Sequence, residues 1–145
     1  MFQRRSGSPR GSSLQVKRPR VLFVDDEPLV LEGLRDSLRR YPFEVHSAGS
    51  AEEGFDILSS LDIDVVVSDE RMPEMTGSEF LALVCERYPE TIRLILSGQE
   101  SPAAGNRALL EGEVFRFVRK PCAASELAAI INQALAEKDR RGEDE

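Results

Sequence analysis

Three aspartates and one lysine stand where apolar runs end. Asp25 and Asp26 close Val21-Leu22-Phe23-Val24. Asp69 follows Val65-Val66-Val67-Ser68, and Lys120 follows Val114-Phe115-Arg116-Phe117-Val118-Arg119 just ahead of Pro121. If these runs are neighbouring parallel strands, their carboxyl ends gather the carboxylates and an ammonium. Crowded carboxylates repel, and one is pushed to protonate unless a cation sits among them. The ligands on offer are oxygens with no histidine near, which favours Mg²⁺ over zinc. Such a site suits a hard divalent cation and a phosphoryl group.

The elements that must position these residues follow from the pattern. Val21 to Asp25 reads as a first strand. Pro28 then sits where a first helical turn tolerates proline, and Val30, Leu31, Leu34 and Leu38 repeat at helical spacing to about Arg40. Phe43 to Ala48 is a second strand. Ser50-Ala51-Glu52-Glu53 is a capping box opening a helix with Phe55, Ile57, Leu58 and Leu61. Ile63 to Ser68 is nearly all apolar and β-branched, as a strand buried on both faces should be. Thr76-Gly77-Ser78-Glu79 is a second capping box, ahead of Phe80, Leu81, Leu83 and Val84. Thr91 to Leu96 is a fourth strand closed by Ser97-Gly98. A weak helix is expected over Pro102–Glu111, lowered by Gly105. Val114 to Val118 is a fifth strand, and Leu127, Ile130, Ile131, Ala134 and Leu135 stripe a last helix.

Strand and helix alternate five times, which predicts an α/β fold with a parallel sheet and helices on both faces, because parallel strands need crossovers. In an open sheet of this kind, ligands bind outside the carboxyl ends of the strands where the order reverses. In the five-stranded order 2-1-3-4-5 that point lies between strands one and three. Those are the strands that Asp25, Asp26 and Asp69 close.

Composition narrows the classes further. The chain of 145 residues is 41% hydrophobic and 31% charged, enough for one domain with a core, and no apolar stretch approaches the roughly 20 residues of a membrane span. The basic start lacks the apolar core of a secretory signal. Residues 1–20 carry six basic side chains and no acid, so the other 125 hold −13 against −7 for the whole chain. An acidic body argues against nucleic-acid binding by the folded part. Residues 1–19 therefore read as a disordered basic leader, 20–138 as the folded domain and 139–145 as a charged tail. Cys85 and Cys122 lack metal-ligand spacing and read as reduced thiols of a cytoplasmic protein.

Four separated motifs, in order and each at a strand end, resemble one family. They are Val24-Asp25-Asp26-Glu27, Ser68-Asp69-Glu70-Arg71-Met72-Pro73-Glu74-Met75-Thr76-Gly77, Ser97-Gly98 and Lys120-Pro121. Over roughly residues 20–138 the chain resembles the receiver domains of bacterial response regulators, the CheY-type branch of the flavodoxin-like fold. The resemblance implies that Asp69 accepts a phosphoryl group from a sensor histidine kinase or a histidine phosphotransfer protein. It implies Mg²⁺ held by Asp26, Asp69, the Arg71 backbone carbonyl and, through water, Asp25. Lys120 and Ser97 would hold phosphoryl oxygens, Ser97 and Phe117 would form the switch, and the Lys120–Pro121 bond would be cis. Arg71 and Gln99 would tune the lifetime of the acyl phosphate, with Arg71 shielding it or pairing with Glu70 or Glu74. The domain would be a regulatory module rather than an enzyme of other substrates. It would control a downstream protein or a fused output domain, with a homodimer through the last two helices possible. Arg-Met-Pro and Arg-Phe-Val-Arg-Lys-Pro also resemble receivers joined to cyclic-dinucleotide phosphodiesterase domains.

Other classes fit less well. A metal-dependent aspartyl phosphatase or phosphotransferase of the haloacid-dehalogenase type needs a second aspartate two residues after the nucleophile, where this chain has Arg71. A flavin binder needs a phosphate-cradling loop after the first strand, where Asp25-Asp26-Glu27-Pro28 is acidic. His46, the one histidine, reads as a plain strand residue, and no G-x-S-x-G elbow supports a hydrolase built on Ser97.

Overall fold

The apolar runs become parallel strands. A computed structural model describes residues 18–98 and 113–143. Five strands, β1 (Arg20–Val24), β2 (Glu44–Ala48), β3 (Val65–Asp69), β4 (Ile92–Ser97) and β5 (Arg116–Arg119), alternate with helices α1 (Pro28–Ser37), α2 (Ala51–Ser60), α3 (Gly77–Arg87) and α4 (Ala124–Glu143). The sheet has the expected order β2-β1-β3-β4-β5, with each neighbouring pair parallel. Residues 1–17 of the expected leader, Gln99, the helix expected over Pro102–Glu111 and the last two residues lie outside the described residues.

Side chains alternate across the sheet. Val21, Phe23, Val65, Val67, Ile92 and Leu94 face one core, closed by Leu38 behind α1 and by Leu127, Ile131 and Ala134 of α4. Leu22, Val24, Val66 and Ile95 face the other, closed by Leu58 of α2 and by Phe80, Leu81 and Val84 of α3. The central strands β1, β3 and β4 are thus covered on both sides, which is why β1 and β3 read as continuous apolar runs and β4 as one broken only by Arg93. The edge strands β2 and β5 keep polar residues and are only partly covered.

Several boundaries differ from the sequence expectation for local reasons. α1 stops at Ser37, not Arg40, because the chain tightens into a turn in which Arg39 N–H donates to Asp36 O and Tyr41 N–H to Leu38 O. At α2, Ser50 Oγ accepts from Glu53 N–H at 3.1 Å, but the Glu53 carboxylate takes the N–H of Gly49 rather than that of Ser50. The capping box is therefore displaced by one residue on its return half. At α3 the box is complete: Thr76 Oγ1 accepts from Glu79 N–H and Glu79 Oε1 from Thr76 N–H. α4 runs to Glu143, past the end of its apolar stripe. Glu137 pairs there with Arg140 and Arg141 one turn on, and Lys138 Nζ reaches Asp64 Oδ1 at 2.8 Å.

A charged residue is buried in β4. Arg93 is 3% exposed, and its guanidinium donates to the carbonyls of Glu113 (2.8 Å), Thr91 (2.6 Å) and Pro89 (3.3 Å). It ties the loop before β4 to the residues entering β5. Burial pushes its pKa below the ordinary arginine range.

Candidate functional site

Each of the candidate charges stands at or just past a strand end. β1 and β3 are direct neighbours, with Val24 opposite Ser68. The next residues, Asp25 and Asp69, therefore emerge side by side, and Asp25 N–H is fixed by Ala48 O at 3.1 Å. β4 flanks β3 on the other side with Leu96 opposite Asp69, and β5 flanks β4 with Arg119 opposite Ser97. Lys120 follows directly, its N–H donating to Ser97 O at 2.7 Å.

The four expected charges do meet. One carboxylate oxygen from each of Asp25, Asp26 and Asp69 lies within 4.8 Å of the others. Lys120 Nζ donates to Asp69 Oδ1 at 2.9 Å and stands 3.7 Å from Asp25 Oδ2. Asp25 is buried, Asp69 half-buried and Asp26 exposed, so the cluster runs from the core out to solvent. Burial, together with the charges of Asp69 and Asp26, raises the Asp25 carboxyl above its ordinary range, against the pull of the Glu27 N–H and of Lys120. Burial works to lower the Lys120 pKa, but the hydrogen bond to Asp69 and the nearby carboxylate charges outweigh it and the net shift is upward. The donor set is all oxygen, carries three negative charges against one ammonium, and opens to solvent. These residues fit a hard divalent cation.

The other expected residues are placed as follows. Ser97, at the end of β4, is buried. Phe117 lies beside Ile95 on β5 and packs into the α2–α3 side core; Ser97, two residues past Ile95, shares that face. Arg71 is exposed two residues past Asp69, and among the described residues it forms no ion pair with Glu70 or Glu74. The Lys120–Pro121 peptide bond is cis. His46 is not part of the site. It sits on the edge strand β2, paired with Glu44 Oε2 at 2.7 Å, with β1 and β3 between it and the strand of Ser97.

Three residues mattered more than their types suggested. Glu70, one after Asp69, is 8% exposed, and its Oε1 accepts from both the N–H (2.9 Å) and the hydroxyl (2.8 Å) of Ser78. Gly77 packs so closely that an added Cβ would lie 2.2 Å from Asp69 O. An acid beside an acidic motif reads as solvated, and no sequence signal marks it as a buried acceptor. Leu29, in the first turn of α1, is 81% exposed. Beside Lys120 an apolar groove of about 540 Å³ runs between α1 and the start of α4, lined among others by Val30, Leu34, Pro121, Cys122 and Leu127.

Comparison with known proteins gives a consistent picture. The model of the response regulator receiver domain matches residues 21–132. The hydrogenase transcriptional regulatory protein HoxA of Cupriavidus necator is 32% identical over 127 residues, which cover 88% of this chain and 26% of that protein. The chain thus spans about a quarter of the length of that curated relative. Among solved structures, the signal receiver domain of an HD domain-containing protein from Pseudomonas fluorescens superposes with a TM-score of 0.81 at 32% identity, covering 90% of this chain and 96% of that one. The chemotaxis protein CheY4 of Vibrio cholerae gives 0.75 at 27% identity, covering 82% and 100%. The aspartyl phosphatase alternative is set aside: the matching family is a regulatory one, and Arg71 stands where that chemistry needs a carboxylate. Among the described residues no helix is long and apolar enough to cross a membrane.

Proposed function

This chain belongs to the response regulator receiver domain family, and from that premise we propose that it takes one phosphoryl group onto Asp69 and uses the modification as a switch. The observation that carries this reading is the convergence of Asp25, Asp26 and Asp69 within 4.8 Å with Lys120 2.9 Å from Asp69.

The chemistry follows from those groups. An Asp69 carboxylate oxygen attacks the phosphorus of a phosphohistidine on a partner. The phosphorus–nitrogen bond breaks, its electron pair returns to the imidazole, and the product is an acyl phosphate. Such a transfer needs positioning and charge neutralisation more than covalent help. The position of Lys120, 2.9 Å from Asp69, supports its holding a phosphoryl oxygen. A bound Mg²⁺, held by Asp26, Asp69 and the Arg71 carbonyl with Asp25 behind it, would neutralise the acceptor and the incoming oxygens. Ser97 and Phe117 share a sheet face, which supports a switch in which the Ser97 hydroxyl turns to the phosphoryl group and Phe117 repacks. The exposure of Arg71, which forms no ion pair among the described residues, supports a role in shielding the acyl phosphate from water; Gln99 is the second residue assigned to tuning its lifetime.

The phosphodonor is a sensor histidine kinase or a histidine phosphotransfer protein. The groove between α1 and α4 lies beside Lys120, and with Leu29 nearby it offers that donor an apolar surface. The recipient of the signal is an output domain or a separate protein; the transcriptional role in the name of HoxA supports the former. The cytoplasm, where kinases meet their substrates, is the compartment that suits these two free thiols. Self-association through the last two helices, the one expected over Pro102–Glu111 and α4, is the dimer this reading allows.

The test is incubation with acetyl phosphate and Mg²⁺ followed by intact mass measurement. One added phosphoryl group, lost in Asp69→Asn, is the expected result. Release of many phosphates per chain would identify a phosphatase instead.

A further inference from the structure

The first turn of α3 is fastened to the residue that follows the phosphoacceptor. A helix leaves its first four N–H groups without partners inside the helix. In α3, Gly77 N–H donates to Glu70 O at 2.9 Å and Ser78 N–H to Glu70 Oε1 at 2.9 Å. Glu79 N–H goes to Thr76 Oγ1, and Phe80 N–H begins the helical ladder at Thr76 O. Glu70 thus satisfies two of the four, and its carboxylate takes the Ser78 hydroxyl as well. Its negative charge also sits at the positive end of the helix dipole.

Glu70 lies beyond the end of β3, so no strand ladder holds it. The sheet fixes Asp69, and α3 fixes Glu70. Between them, Gly77 rests against the Asp69 carbonyl, which also accepts from Ser68 Oγ at 2.9 Å. The next peptide carries Arg71, whose carbonyl the proposed function assigns to the cation.

We propose that Glu70 is a positioning residue: its buried carboxylate, clasping Ser78, holds the Asp69–Arg71 backbone in the register that the cation and the incoming phosphoryl group require. This rests on the proposed function for the identity of the cation and donor. Groups that orient metal ligands from behind commonly change metal affinity by about 10–100-fold when removed.

Three variants test it. Glu70→Met keeps the bulk and removes the acceptor, Glu70→Gln keeps an acceptor oxygen for Ser78, and Ser78→Ala removes only the hydroxyl. Mg²⁺ affinity is read by calorimetric titration and amide exchange at Gly77 and Ser78 without metal, with acetyl phosphate labelling alongside. Glu70→Met should exchange those amides at least about tenfold faster and bind Mg²⁺ about tenfold more weakly. Glu70→Gln should stay within about threefold of wild type in both, and Ser78→Ala should fall between. Faster exchange in Glu70→Met with Mg²⁺ affinity unchanged within twofold would make the clasp merely structural and overturn the proposal. If Glu70→Met does not fold, Ser78→Ala decides, and wild-type Mg²⁺ affinity in that variant overturns it. A wild-type protein that binds Mg²⁺ but takes no phosphoryl group sinks the proposed function and leaves the effect on the cation readable. No Mg²⁺ binding by wild type overturns both.

Discussion

Replacing Gly77 by alanine pits two effects of opposite sign against each other. On helix propensity alone, alanine should gain up to about 1 kcal/mol over glycine. The structure reverses that sign. The new Cβ would lie 2.2 Å from the Asp69 carbonyl oxygen, where ordinary contact begins at 3.4 Å. The atom it meets is backbone in the sheet, so the first turn of α3 must withdraw by about an ångström. That strains the hydrogen bonds from Gly77 N–H, Ser78 N–H and Ser78 Oγ to Glu70, now 2.8–2.9 Å. A buried group left unsatisfied costs about 1–3 kcal/mol. With partial relaxation and the propensity gain subtracted, Gly77→Ala should lose about 2–4 kcal/mol, a large part of the stability of a typical domain. Gly33→Ala is the internal control. Gly33 lies within α1, and an added Cβ there meets nothing within 4 Å. It should gain about 0.5–1 kcal/mol. Urea unfolding of both variants, followed by far-ultraviolet circular dichroism, gives the comparison. A Gly77→Ala protein as stable as wild type would refute the close approach, and so the reasoning about how α3 is seated on the site.

Further outcomes follow from other contacts. Arg93→Met removes the hydrogen bonds to the Glu113, Thr91 and Pro89 carbonyls and should destabilise by about 2–4 kcal/mol; Arg93→Lys should recover only part, lacking the planar fork, as denaturant midpoints would show. The hydrogen bond from His46, then burial working against it, and then Arg20 set the Glu44 carboxyl, whose net shift is below its ordinary 4.5. A depressed carboxyl contributes stability that is present above that value and lost as pH falls through the lowered one. Glu44→Gln should therefore flatten the acid limb of a stability–pH curve below about 4.5, by less than about 1 kcal/mol because the pair is exposed. Mg²⁺ at ten times its dissociation constant should stabilise wild type by about 1.4 kcal/mol, and Asp26→Asn should lose most of that in thermal melts.

Much of the sheet was legible because burial on both faces demands apolar runs, and β1 and β3 are such runs, with β4 broken only by Arg93. The order of strands could not come from periodicity; the meeting of Asp25, Asp26 and Asp69 requires only that β1 and β3 be neighbours, and the rest of the order came with the family resemblance. The acidic cluster and Lys120 were legible for the same reason, since strand ends converge. What stayed hidden depends on contacts between distant segments. Arg93 interrupts an apolar run and is buried because loop carbonyls on both sides need a donor. Glu70 reads as a surface acid and is instead enclosed by the first turn of α3. α4 outlasts its apolar stripe because ion pairs at Glu137 and Lys138 replace packing. The offset cap of α2 reflects which N–H, that of Gly49 or of Ser50, the Glu53 carboxylate reaches, a matter of backbone geometry that sequence does not carry.

The most direct test of the site locates the phosphorus itself. An acyl phosphate on aspartate is reduced by borohydride to homoserine, which peptide mass mapping finds. After treatment with acetyl phosphate and Mg²⁺, homoserine at position 69 and nowhere else is the expected result. Homoserine at position 25 or 26, or a labelled protein with an unmodified Asp69, would contradict the assignment of the acceptor.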